Sequence, residues 1–190
     1  MGNILEDFMG SMGSEVTGQL ASSLGLDKGV AGAIIPQVLP MILGGLKKQK
    51  DNFGGEERVD HILNKYGSSS VLDDIGGLFS SKAQDSNPDP ALGGLLGNAG
   101  VEASNLFGKQ FNIDGGTAAK IIPMLAPVVL GYLTKSKDSG AGISGIASLL
   151  DADGDGDILD DVVGFLGKSM GGSTGGLLGG LLGGLLGGKK

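Results

Sequence analysis

GLDKGVAGAIIPQVLPMILGGLKK, residues 25–48, has a counterpart in NIDGGTAAKIIPMLAPVVLGYLTK, residues 112–135. Eleven of the 24 positions are identical at an offset of 87. They include Asp27/Asp114, Ile34-Ile35-Pro36/Ile121-Ile122-Pro123, Pro40/Pro127 and Gly44/Gly131. The same offset carries ILNKYGSSSVLDDIGGLF (62–79) onto LLDADGDGDILDDVVGFL (149–166) without a gap, with six of 18 positions identical. Upstream, Glu15 falls on Glu102 and Phe8 on Leu95. One unbroken register over this span reads as a tandem duplication. The chain divides into a helical repeat at 1–87, a second at 88–170 and a low-complexity Gly/Leu tail at 171–190.

Strand alternation is nearly missing, while apolar residues recur at helical spacing, so the fold class is all-α. Ile4, Leu5, Phe8, Met9 and Met12 mark a first helix, and Val16, Leu20 and Leu24 a second. Asp27 and Asp114 are placed as N-caps of long helices near 28–48 and 115–135. Val59, Ile62, Leu63 and Tyr66 predict another helix, as do Val71, Leu72, Ile75, Leu78 and Phe79. SSKAQDSNPDP (80–90), polar and with two prolines, reads as the linker. In each long helix two prolines lie four residues apart on one face, which predicts Pro-kinked core helices. Residues 29–46 form an uncharged run of 18, near the lower limit for crossing a bilayer. Its prolines, glycines and Gln37, and Lys120 in the partner run, favour a buried core role instead.

Composition narrows the function classes. A net charge of −7 argues against nucleic acid, whose binding needs a basic face. Without cysteine there are no disulfides, thiolate metal sites or Cys nucleophiles. With 39 glycines, eight aromatic residues and no tryptophan, small-residue helix packing must supply much of the core. MGNILEDFMGS has no basic region followed by an apolar core, so cytoplasmic localisation is the expectation, with non-standard export as the alternative.

The second half differs from the first at one place. Asp151, Asp153, Asp155 and Asp157 stand where the first half has Asn64, Tyr66, Ser68 and Ser70. Asp160-Asp161 repeats Asp73-Asp74. DxDxDG with an apolar residue two positions on is the front half of an EF-hand loop, in which alternate oxygens converge on Ca²⁺. Asp151, Asp153 and Asp155 take positions 1, 3 and 5, Gly156 the sharp turn and Asp157 position 7. Position 12, normally a bidentate Glu, is Val162, so Asp160 or Asp161 must close the site, or water must fill the gap. The metal ligands expected are therefore Asp151, Asp153, Asp155, Asp157 and Asp161. Another divalent ion and a solvated acidic turn are the alternatives. Asp160 and Asp161 can also be read as the start of a helix, where negative charge is favoured.

GGLLGGLLGGLLGGKK (175–190) has a period of four, which would gather leucines into one helical stripe. Its glycines oppose a helix in water, so the tail reads as a flexible segment, a self-association or protein-partner segment, or a membrane contact. His61 is the only histidine and has no catalytic neighbourhood; HExxH, GxSxG and GxxxxGK[ST] do not occur. A non-enzymatic role is expected.

LASSLGLDKGVAGAIIPQVLPMILGGLKK through ILNKYG, with LLDADGDGDILDD, resembles the YidB-like family of uncharacterised bacterial proteins. The resemblance covers most of 15–168, in both copies, and its IPxxLPxxLxGL stretch is fairly specific. It implies a small helical domain, with an aspartate-rich loop in longer members and no assigned activity. The expectation is a non-catalytic, calcium-binding helical scaffold or interaction module of bacterial origin. The alternative is a self-assembling or membrane-associating protein driven by the tail.

Overall fold

Apolar spacing, capping aspartates and glycine breaks divide the chain into helices. In the computed structural model, residues 4–85 and 98–149 are described. Among them every regular element is helical and there is no strand. The first half comprises α1 (Ile4–Ser11), α2 (Gly13–Leu24), α3 (Lys28–Phe53), α4 (Gly55–Tyr66), a 3₁₀ turn at Ser69–Leu72 and α5 (Ile75–Gln84). The second comprises α6 (Asn98–Gln110), α7 (Gly115–Ser136), a wide turn at Lys137–Ala141 and α8 (Gly142–Leu149).

Both aspartates cap the long helices as their position predicts. Asp27 Oδ1 accepts from the Gly29 amide at 2.7 Å, and Asp114 Oδ1 from the Thr117 amide at 3.0 Å. Each satisfies a donor that the first helical turn leaves without a partner. Hydrogen bonds from Thr117, hydroxyl first and amide second, hold the Asp114 carboxyl below its ordinary range. Both helices continue through their prolines, Pro36 and Pro40 in α3 and Pro123 and Pro127 in α7.

Backbone features recur at the spacing of 87. Gly25 and Asn112 both take the left-handed conformation, with φ of 64° and 52°. The next amides close matching bonds, Leu26 to the Ala21 carbonyl at 2.9 Å and Ile113 to the Gly108 carbonyl at 3.1 Å. Gly55 and Gly142 open α4 and α8 with φ of 65° and 63°.

One apolar core runs through both halves. Phe8, Val16, Leu20, Ile34, Ile35, Leu46, Leu63 and Phe79 join Phe107, Ile121, Met124, Leu130 and Ile146 in a single cluster. The centre of this cluster is α7, which packs on α6 from its own half and on α2, α3, α4, the 3₁₀ turn and α5 from the other. Phe8 meets Tyr132 edge to face, with ring centroids 5.3 Å apart. Lys120 reaches across to donate to the Ala83 carbonyl. By length and composition α3 and the stretch Gly115–Ile146 could each cross a membrane, yet 56% and 67% of their apolar windows are buried inside the fold. Their apolar faces are used for helix packing.

Two boundaries differ from the sequence reading. The helix expected through Val71–Phe79 is split, because the Asp74 backbone leaves helical geometry (φ −146°) and its side chain caps a new helix at the Gly77 amide, 2.8 Å away. The helix so started runs to Gln84, so the linker does not begin at residue 80.

Candidate functional site

The acidic residues Asp151, Asp153, Asp155, Asp157, Asp160 and Asp161 lie outside the described residues, as does the Gly/Leu tail. The structure places what leads up to them. Helix α8 ends at Leu149, two positions before Asp151, and its Ile146 is fully buried in the core. Among the described residues no group of three or more His, Asp or Glu is arranged to hold a metal. His61 is exposed on α4.

The first-half counterpart, residues 64–74, is described in full. The Gly67 amide closes α4 onto the Leu63 carbonyl at 2.8 Å. The chain then turns sharply, and the Ser68 and Ser70 hydroxyls meet at 2.7 Å. Amides of Val71 and Asp73 return to the carbonyls of Ser68 and Ser70, at 3.2 and 3.1 Å. Asp73 is exposed beside this turn, and Asp74 is committed to capping α5. The Ser68 and Ser70 side chains, two apart in sequence, thus meet at one point of the turn.

This segment is pressed against α7. A Cβ on Gly67 would stand 2.7 Å from the Leu130 carbonyl oxygen. One on Gly131 would stand 2.8 Å from both the Ser68 carbonyl oxygen and Val71 Cγ2. Both positions require glycine because backbones approach closely there. Thr134 Oγ1 lies 3.5 Å from the Leu63 carbonyl oxygen. Lys137 Nζ donates to Asn64 Oδ1 at 2.9 Å and to Asp60 Oδ1 at 2.7 Å. Asn64 in turn donates to Asp60 Oδ2 at 2.8 Å. The hydrogen bond from Lys137 is the chief reason the Asp60 carboxyl is held below its ordinary range.

Sequence reasoning missed Lys137. The ion pair joins positions 77 apart, and nothing local to either residue signals it. The signal for the close contact was present, since Gly67 and Gly131 each recur at the offset of 87, as Gly154 and Gly44.

Residues 6–136 match the family model described as a bacterial protein of unknown function, DUF937. The chain belongs to the DUF937 family. No match is found among curated proteins, and none among solved structures. The DUF937 match begins within α1, runs to the end of α7 and stops before the acidic segment.

Proposed function

We propose that this DUF937 protein is a non-catalytic helical scaffold or interaction module, built from two copies of one unit, whose second copy binds Ca²⁺. The recurrent helix ends, caps and left-handed residues at the offset of 87 support the duplication. The finer likeness to YidB-like proteins fits the same reading.

One observation carries the calcium assignment. The Ser68 and Ser70 hydroxyls touch at 2.7 Å, and their counterparts are Asp155 and Asp157. Two carboxylates brought that close repel strongly unless a cation lies between them. Ca²⁺ accepts six to eight oxygens in flexible geometry, whereas Mg²⁺ demands a near-ideal octahedron. Asp151 and Asp153 then supply the entry side of the site. Asp161, or its neighbour Asp160, would close the site.

Calorimetric titration and thermal melting test this. Calcium should give binding heat at millimolar concentration or below, and a melting temperature that falls on chelation. Saturation at about 100 times Kd stabilises a folded state by ~2.7 kcal/mol. Asp153→Ala with Asp155→Ala should abolish both signals. Absence of heat together with a chelator-insensitive melt rejects the assignment.

The period-four GGLL tail supports a second reading, self-assembly or membrane association. Deleting residues 171–190 should then abolish sedimentation of oligomers or flotation with anionic liposomes. Identical behaviour of the full and shortened chains rejects it.

A further inference from the structure

Helix α7 belongs to one half of the chain and is seated in the other. From Ile121 to Thr134 every residue but Pro123 and Tyr132 is buried. A helix that is apolar all round needs partners on every side. Its own half supplies α6, the wide turn and α8, while α2, α3, α4, the 3₁₀ turn and α5 come from the first half. We propose that the partner this seat fits is a second copy of the chain. Two molecules exchange their second halves, each placing its α7 on the first half of the other.

The ties that hold α7 do not depend on which chain provides them. Lys137 Nζ donates to Asp60 and Asn64, and Thr134 Oγ1 lies against the Leu63 carbonyl. Phe8 meets Tyr132 edge to face, and Gly131 sits under Ser68 and Val71. Each of these contacts joins a residue of 4–85 to one of 115–137. They form equally well within one chain or between two. Because closed and exchanged forms share one interface, swapping is a low-cost route to a dimer.

The interface also has the layout of a dimer. At the offset of 87, α3 is the counterpart of α7 and α4 of α8, and both pairs are in contact. Like meets like, as across a two-fold axis. In this chain the two sides are covalently joined through residues 86–97. Exchange itself needs neither the duplication nor calcium.

Concentration decides between the two forms. A short connection presents a chain's own partner at a concentration on the order of millimolar. A dilute, folded chain therefore keeps its own α7. Exchange requires α7 to leave the centre of the core, so dimers form when chains fold side by side and persist afterwards. Swapping of this kind is a characteristic misassembly of repeat proteins.

Reversing the charges of the Lys137–Asp60 pair tests the proposal, with full chains in EDTA. Asp60→Lys and Lys137→Asp each set like charges against one another within a chain. Unfolded in urea, mixed and refolded at high concentration, the two variants repair both pairs only by exchanging with each other. Native mass spectrometry should find mixed dimers outnumbering like dimers roughly tenfold, within the range of coupling for residues in contact. The melting temperature of the mixed dimers should return to that of the parent. The double variant, which restores the pair inside one chain, is the control for folding. Two parent chains of different mass, refolded together, should also yield mixed dimers. Monomers alone from every mixture overturn the proposal. So does mixing without preference for the opposite variant, which would put the contact elsewhere. Deleting residues 171–190 separates exchange from self-association through the tail: dimers that survive the deletion support exchange, and dimers lost with it overturn it.

Discussion

Lys137 holds Asp60 through a 2.7 Å hydrogen bond, with the lysine side chain 14% exposed and the carboxylate side 41% exposed. A partly covered ammonium between Asp60 and Asn64 ties the end of α7 to α4. The carboxyl of Asp60 is lowered chiefly by this bond; desolvation, the next largest effect, opposes it, and the charge of Lys137 and the hydrogen bond from Asn64 add smaller lowering effects. A carboxyl whose folded value is lowered stabilises the fold above its unfolded value, about 3.9, and loses that contribution as pH falls through the folded value. Asp60→Asn should therefore melt earlier than the parent chain at pH 7, with the two curves converging near pH 2. A gap that survives at pH 2 would refute the ion-pair account.

Gly131 and Gly18 make opposite predictions. A Cβ on Gly131 collides with Ser68 and Val71, while one on Gly18 meets nothing within 4 Å among the described residues. Gly131→Ala should destabilise by about 1–3 kcal/mol, the usual range for overpacking. Gly18→Ala, inside α2, should stabilise by ~0.5–1 kcal/mol through helix propensity. Denaturant midpoints of the two variants, on either side of the parent, provide the check.

The cap at Asp74 can be removed alone. Asp74→Ala deprives the Gly77 amide of its acceptor and should cost about 1 kcal/mol, with Asp74→Asn recovering most of it. Equal losses for Ala and Asn would mean that the cap is not the reason for this aspartate.

Phe8 is 1% exposed and contacts Tyr132, so its removal opens a cavity between α1 and α7. Phe8→Ala should cost roughly 3–5 kcal/mol. Urea unfolding at unchanged m-value is the measurement, and a loss below 1 kcal/mol would mean that α1 is peripheral.

Much of the fold was legible because its signals are local. Asp27 and Asp114 precede apolar helical periodicity, and capping needs only a side chain two or three residues from its amide. Buried Ile34, Ile35, Ile121 and Ile122 were legible from spacing. The break at Asp73-Asp74 was harder, since Val71, Leu72, Ile75, Leu78 and Phe79 keep helical spacing across it and only the Asp74 cap interrupts them. The meeting of Gly131 with Ser68, and of Lys137 with Asp60, depends on how the halves pack, which short-range pattern does not encode. The acidic residues of the proposed metal site fall beyond the described residues.

The position of α7 among first-half helices also sets an order of assembly during synthesis. When the ribosome has released α1 through α5, the surfaces that receive α7 have been made but their occupant has not. Residue 131 follows Gln84 by 47 positions, a wait of several seconds at about 5–20 residues per second. During that interval the nascent chain holds an unfilled apolar groove, open to chaperones and to proteases. Limited proteolysis of stalled chains should find the first half labile until α7 has emerged.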